Sequence, residues 1–275
     1  MASTEPKLIA GAEGTNPSLL GEVVKQWVLH VQNYSVLCGQ AVVALLVPPH
    51  YVTDIFDQMD IIGVGSLPIV LLTGFFIGAV LVLQTASQFL RFGETALTGT
   101  AVALSLVREL GPTISGLLVA GRNASGIASE LGSMLVTEQI DAMRAMGTDP
   151  MRKLVAPRVL AAVCVLPLLT AMADLIGLVG GAIVSNFTLH IGPVQFWTSA
   201  IKSLEFSDLM QGLVKPLFFG FVLATVGCYK GLTVRGGTEG VGRATTQAVV
   251  ISSVIIIVSD TFLTKVSLFF AGHAF

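Results

Sequence analysis

The chain has 275 residues, of which 53% are hydrophobic and 12% are charged, and its formal net charge is −2. Soluble domains carry about a quarter charged residues, so this composition and a mean hydropathy of +0.82 exclude an ordinary soluble protein and predict an all-α integral membrane protein. No basic tract is present that would indicate a nucleic-acid partner.

The N-terminal part is predicted to lie outside the hydrocarbon core. Residues 1–16 lack an apolar stretch after a basic start, so we expect a flexible cytoplasmic tail rather than a signal peptide. In residues 17–65, apolar residues from Leu20 to Val31 recur at helical spacing, which predicts an interfacial amphipathic helix and an elbow. Residues 27–47 carry no formal charge, so a sixth span there is the alternative.

Five transmembrane helices are predicted in the remaining permease domain, residues 66–275. The first, at about 66–90, has no formal charge, and its length of roughly 37 Å exceeds a hydrocarbon core of about 30 Å. Gly74 and Gly78 in this span form a small-xxx-small motif, for which we predict dimer packing. The other four spans are predicted at about 100–127, 155–187, 209–229 and 246–270.

Basic residues predict the orientation of the spans. The connections on one side hold only Arg91 and Lys202. Those after the second and fourth spans hold most of the basic loop residues, namely Arg144, Arg152, Lys153, Lys230, Arg235 and Arg243. The positive-inside rule places this second set in the cytoplasm, so five spans give a cytoplasmic N-terminus and a C-terminus on the opposite side.

Charged residues within the predicted spans are the candidates for function, because charge at bilayer depth is costly unless it is paired or hydrated. They are Arg108, Glu109, Asp174, Lys215 and Asp260. Arg108 and Glu109 are adjacent, so on a helix they do not face each other and should have different partners. One hypothesis is that these charges line or gate a polar cavity. The other is that they form structural salt bridges, such as Glu109 with Lys215.

The segment at about 137–146, TEQIDAMRAM, is predicted to be a short cytoplasmic helix. Ile140 and Met143, with Ala142 or Met146, can form its apolar face, while its charged side chains form the other face. Such a helix can insert into the groove of a partner protein, although a solvated connecting helix fits the same pattern. Gly147 and the Asp149–Pro150 pair are expected to end it.

Several kinds of site are not predicted. No G-x-x-x-x-G-K-[ST] phosphate loop occurs, so the chain is not expected to be an enzyme that hydrolyses ATP by that route. The glycines from Gly237 to Gly242 open a predicted span and indicate a flexible turn rather than a nucleotide fingerprint. Histidines and cysteines lack ligand spacing, so neither a metal nor a cofactor is expected in this chain.

The run ELGPTISGLLVAGRNASGIASELGSMLVTEQIDAMRAMGTDP, with LVAPR after it, resembles the MlaE/YrbE-type ABC permease family. GGTEGVGRATTQAVVISS, followed by Asp260, is similar to the C-terminal part of that family. The resemblance begins at about Pro68. It implies a homodimeric subunit of the bacterial inner membrane that binds two copies of a separate ATPase, which uses ATP and Mg²⁺. It also implies a periplasmic ring of an MCE-domain protein.

The resemblance further implies roles for individual residues. The family's coupling helix, which sits in the ATPase cleft, corresponds to Glu138, Gln139, Ile140, Asp141, Ala142, Met143 and Arg144. A lipid cavity is expected at the dimer interface, lined by the first, second and fifth spans, with Arg108, Glu109, Lys215 and Asp260 contributing to it or to its gating. The predicted function is phospholipid transport between the inner membrane and the outer envelope. The alternatives are transport of sterols or other hydrophobic molecules, a proton-coupled secondary transporter using Asp174, Glu109 and Asp260, or a membrane scaffold.

Overall fold

The computed structural model describes residues 19–48, 51–92, 94 and 97–270, and the predicted tail at 1–16 lies outside them. The described chain is built from helices and contains no strand. We number these helices α1 (Leu19–Leu46), α2 (Val52–Phe92), α3 (Thr98–Val136), α4 (Gln139–Ala145), α5 (Ala156–Leu189), α6 (Pro193–Ser203), α7 (Phe206–Leu232) and α8 (Gly237–Phe270). The all-α membrane fold is therefore confirmed.

The predicted count of five spans is not confirmed, because α1 also has the length and apolarity of a membrane span. Six described helices meet that requirement. Helix α1 contacts the last turns of α7, and the residue pair after it contacts the segment before α5. His30 Nδ1 lies 3.1 Å from the hydroxyl of Tyr229 in the last turns of α7. Just after α1, the Pro48 carbonyl accepts a hydrogen bond from Arg152, which lies just before α5.

Helix α2 begins well before the predicted start of the first span. It runs without a break from Val52, so the predicted boundary between residues 65 and 66 falls inside a helix. Its first turns carry Asp54, Asp57 and Asp60, which precede the uninterrupted apolar stretch in the sequence. The Asp54 carboxylate forms an ion pair with Lys153, so this polar end of α2 is held against the start of α5.

Helix α3 is interrupted twice by π-helical segments, at Leu106–Leu110 and Ala120–Ala124. Such segments are rare and often occur at functional sites. A third, Met151–Val155, leads into α5. The sequence does not reveal these π-helical segments. Each adds one residue to a helical turn, and a stretch that is apolar on most sides keeps its apolar character when one residue is added.

Glycines bring α2 and α5 into close contact. A Cβ atom at Gly74 would lie 2.7 Å from the carbonyl oxygen of Ala173, and a Cβ atom at Gly78 would overlap that of Gly177. Helix α5 of the same chain therefore covers both glycines, which corrects the prediction that they pack in a dimer interface. The motif indicates close helix contact, but it does not identify the helix that makes it.

Replacing Gly78 by alanine is expected to destabilise the protein by about 1–3 kcal/mol, since the added methyl group forces α2 away from α5. Gly126→Ala is the matched control, because a Cβ atom there meets nothing within 4 Å. Thermal unfolding in detergent measures the difference. Equal midpoints for the two variants would contradict the close contact.

Candidate functional site

Lys215 is the centre of a polar cluster within the membrane-spanning helices. Its Nζ atom lies 2.6 Å from Glu109 Oε2 and 3.0 Å from Asp260 Oδ1, so one cation bridges α3, α7 and α8. It also donates hydrogen bonds to the Thr264 hydroxyl at 2.8 Å and to the Arg108 carbonyl at 3.0 Å. The Lys215 side chain is only 2% exposed. An ammonium buried to this degree requires such compensation, because its desolvation is otherwise unfavourable.

A second ion pair extends the cluster along α7. Arg108 Nη2 lies 2.6 Å from Asp208 Oδ1, and Arg108 Nε donates to the same oxygen at 2.7 Å. The other Asp208 oxygen accepts a hydrogen bond from the Glu205 backbone, which caps the start of α7. Asp208 thus anchors the helix end and Arg108 at once. In total, two cations face the three carboxylates of Glu109, Asp208 and Asp260.

The cluster contains the salt bridge that the structural hypothesis named. Arg108 and Glu109 have different partners, and the Glu109–Lys215 salt bridge is present. Both side chains of this adjacent pair are also 39% exposed, so they remain available to a ligand. Asp208 was not predicted from the sequence. The signal was its position seven residues before Lys215, which places both on one face of a helix.

Asp174 does not join this cluster. It lies on α5 beside Gly111, where a Cβ atom would overlap its carboxylate. The side chain is buried, and Oδ1 accepts no hydrogen bond from the described residues. The structure therefore brings four of the five predicted intramembrane charges together and leaves Asp174 apart.

Two grooves involve helices that carry the cluster, and the second of them includes a cluster residue in its wall. The larger, of about 480 Å³, runs along α2 from Leu72 to Gln84 and is closed on one side by Leu110, the residue after Glu109. The second, of about 310 Å³, lies between α7 and α8 and includes Lys215 in its wall. Apolar side chains dominate both walls. An apolar groove with charges at its edge suits an amphipathic ligand.

The short helix predicted at about 137–146 is present as α4, between α3 and α5. Glu138, which precedes it, has a left-handed backbone with φ of 58°, and Gly147 after it has φ of 79°. These two residues turn the chain sharply on either side of α4. Ile140 is fully buried in the main core, where Met143 packs against it. Met146 is 74% exposed, so it does not belong to the packed face.

The outward surface of α4 is polar. Its exposed residues are Gln139, Asp141, Ala142, Arg144 and Ala145, and the exposed Glu138 precedes them. Asp141 and Arg144 form an ion pair of 3.0 Å along this surface. Because the apolar face is already used within the chain, a partner would contact these polar residues.

Ion pairs connect the helices on both sides of α4. Arg158, which is 4% exposed, lies 2.7 Å from Glu130, so the start of α5 is joined to α3. Lys153 joins the same region to Asp54 at the start of α2. These pairs join α2, α3 and the start of α5, and the buried side chain of Ile140 attaches α4 to the same core.

Comparison with known proteins gives consistent matches. The model of the MlaE permease family matches residues 55–266, a range that contains α4 and the whole polar cluster. A Rickettsia typhi protein named "Probable ABC transporter permease protein" is 42% identical over 248 residues, which cover 90% of this chain and 96% of its own length. The Haemophilus influenzae protein named "Intermembrane phospholipid transport system permease protein MlaE" is 38% identical over 216 residues, or 78% and 82% of the two chains. The chloroplastic protein TRIGALACTOSYLDIACYLGLYCEROL 1 of Arabidopsis thaliana is 36% identical over 237 residues, or 86% and 67%.

Proposed function

Since the chain belongs to the MlaE permease family, as its motifs predict, we propose that it is the membrane subunit of an ABC transporter that moves phospholipids between the bacterial inner membrane and the outer envelope. The observation that carries this proposal is the match over residues 55–266, together with the Haemophilus relative's phospholipid-transport name. The energy comes from a separate ATPase subunit, which holds ATP and Mg²⁺.

The contact with the ATPase is assigned to α4. Its exposed residues from Glu138 to Arg144 form a small polar surface suited to a cleft in a partner. Ile140 anchors the helix in the core, so movement of the partner is transmitted to α3 and α5 rather than lost in a flexible loop. Helix α3 then carries that movement to Arg108 and Glu109 at the groove.

The groove along α2 is assigned to the acyl chains. Its walls, including Leu72, Phe76 and Val80, are apolar, so hydrocarbon tails can be removed from water there. Leu110 in its wall follows Glu109 in the chain, and we assign Arg108 and Glu109, each 39% exposed, to contact with a polar headgroup. In the homodimer that we propose, a second copy closes the groove and forms a cavity between the two chains.

The same assignment fixes the topology. The α4 end of the bundle faces the cytoplasm, and α1 lies across that end in the membrane interface, as its contacts with α7 and with Arg152 support. The opposite end faces the periplasm, where a ring of an MCE-domain protein receives the lipid. A proton relay through Asp174, Glu109 and Asp260 is less well supported, because Asp174 is separate and the other two carboxylates bind Lys215.

Mass spectrometry of lipids that copurify with the full permease tests the cargo class. We expect phospholipid in a fixed ratio to protein. Sterol or another hydrophobic molecule in place of phospholipid would contradict the proposed cargo.

Glu109→Gln is expected to lower the rate of lipid transfer several-fold while the protein still folds. The amide keeps the size of the side chain and can still accept hydrogen bonds from Thr264 and Lys215, but the charge balance around Lys215 changes. Transfer between reconstituted vesicles measures the effect, with Glu94→Gln as the control for an exposed carboxylate outside the cluster. Wild-type transfer by Glu109→Gln would show that this charge is only structural.

A further inference from the structure

Arg122 is an exposed arginine inside a membrane-spanning helix, in the second π-helical segment of α3. Arg108, Arg158 and Lys215, on the same helices or their neighbours, each form an ion pair with a carboxylate. Arg122 forms no such pair with any residue that the structure describes. An arginine of a membrane-spanning helix that has no carboxylate partner among the described residues is a candidate for binding an anion from outside the chain.

The guanidinium is held in a defined position. Nη1 donates hydrogen bonds to the Ile61 carbonyl at 3.2 Å and to the Ser66 hydroxyl at 3.0 Å. Asn123 Nδ2 donates to the same hydroxyl at 3.0 Å, and Ser66 is fully buried. A Cβ atom at Gly65 would overlap the guanidinium, which therefore lies directly on the α2 backbone.

This arrangement leaves one edge of the guanidinium available. The hydrogen bonds to described residues use only Nη1, so Nε and Nη2 have donors to spare. Two adjacent donors in one plane match two oxygens of a phosphate group, the geometry in which arginine binds such anions best.

An apolar surface leads from Arg122 into the large groove. The residues Gly65, Pro68, Leu72, Phe76 and Val80 follow one another at helical spacing on α2, and all are exposed. At 1.5 Å per residue this stripe is about 22 Å long, which exceeds the thickness of one leaflet, about 15 Å of hydrocarbon. A molecule with an anion at one end and hydrocarbon at the other can therefore occupy both features at once.

We propose that Arg122 binds the phosphodiester group of a phospholipid whose acyl chains follow this stripe into the groove. The inference rests on the proposed function for the identity of the cargo, and it places a headgroup site on the α4 side of the groove, away from Lys215. Free phosphate has the same anionic chemistry, but it has no hydrocarbon that could contact the apolar stripe beginning at Gly65.

The test uses the full permease in lipid nanodiscs and two photoreactive probes with identical acyl chains, a phosphatidylglycerol and a diacylglycerol without phosphate. Arg122→Gln is expected to weaken crosslinking of the phosphatidylglycerol about tenfold or more, since charged hydrogen bonds are lost. Arg122→Lys should recover part of the binding, because it keeps the charge without the planar edge. Arg91→Gln removes an exposed positive charge at the far end of α2 and should leave both probes unaffected.

Four outcomes would overturn the inference. The first two are equal crosslinking of phosphatidylglycerol by wild type and Arg122→Gln, and an equal loss of crosslinking with diacylglycerol. The third is competition by millimolar inorganic phosphate that is as effective as competition by phospholipid. The fourth is dissociation of a dimer in Arg122→Gln with lipid binding unchanged, which would assign the arginine to contact with a second copy of the chain. Failure of the proposed function looks different, because wild type itself would then bind no phospholipid.

Discussion

Replacing Glu138 and Asp141 by lysine is expected to abolish association with the ATPase and all ATP-driven transport, while the permease still inserts and folds. Both side chains are exposed on the surface assigned to the partner. Replacing both carboxylates by ammonium groups changes the charge of this surface by four units and removes its acceptors, so capture of the ATPase should fall by more than about a hundredfold. Affinity capture of the ATPase by the full permease, followed by measurement of ATP hydrolysis, gives both readouts.

Two controls separate coupling from folding. Glu94→Lys reverses an exposed charge at the opposite end of the bundle and should leave capture intact. Ile140→Ala removes the buried anchor of α4, so it is expected to weaken coupling through loss of stability, visible as a lower thermal midpoint. Retained capture by the Glu138 and Asp141 double variant, at wild-type level, would remove the assignment of α4 as the coupling helix.

Lys215→Met is expected to have the largest effect on stability. The substitution leaves Glu109 and Asp260 without the cation that compensates them. Breaking a buried ion pair by removing one partner costs about 3–5 kcal/mol, which corresponds to a fall in thermal midpoint on the order of 10 °C. Lys265→Met, an exposed position on α8, is the control and should have little effect.

A compensated variant shows why Lys215 matters. Lys215→Met combined with Glu109→Gln and Asp260→Asn removes the cation together with the two carboxylates that it neutralises. Neutral replacement of a whole buried cluster is often tolerated, so we expect most of the lost stability to return. If the triple variant is as unstable as Lys215→Met alone, packing around Lys215 rather than charge compensation holds this region together.

Helix α3 connects the three features to which we assign a function. Its last turns lead into α4, its second π-helical segment carries Arg122, and its first carries Arg108 and Glu109. A displacement that enters at α4 therefore reaches both charged positions along one continuous helix. Arg108, Glu109 and Arg122 thus lie in π-helical segments, where the α-helical hydrogen-bond pattern is interrupted. Such segments are often associated with functional sites.

The sequence predicted the parts of the fold that depend on local hydrophobicity. The spans near 155–187 and 209–229 agree closely with α5 and α7, because their ends coincide with a change in polarity. The start of α2 was missed because three aspartates continue the helix beyond the apolar stretch. Helix α6 was not predicted at all; its buried Phe196 packs against the bundle, a tertiary contact that composition does not reveal.

The candidate site was predictable in its residue types and not in its pairings. Placing a charged side chain in a membrane span is energetically costly, and this cost identified Arg108, Glu109, Lys215 and Asp260 as unusual. The possible pairing of Glu109 with Lys215 followed from their opposite charges. The contact between Arg122 and Ser66 could not be inferred, because it depends on the close approach of α2 and α3 at Gly65. The mistaken role of Gly74 and Gly78 has the same origin, since a sequence motif does not specify its partner helix.

The most direct test of the central claim is phospholipid transfer by vesicles that contain the full permease and its ATPase. We predict that labelled phospholipid moves to an acceptor only when ATP is present, that dissipating a proton gradient has no effect, and that the Glu138 and Asp141 double variant is inactive. Transfer that persists without ATP and stops when the proton gradient is removed would contradict the assignment as an ABC permease.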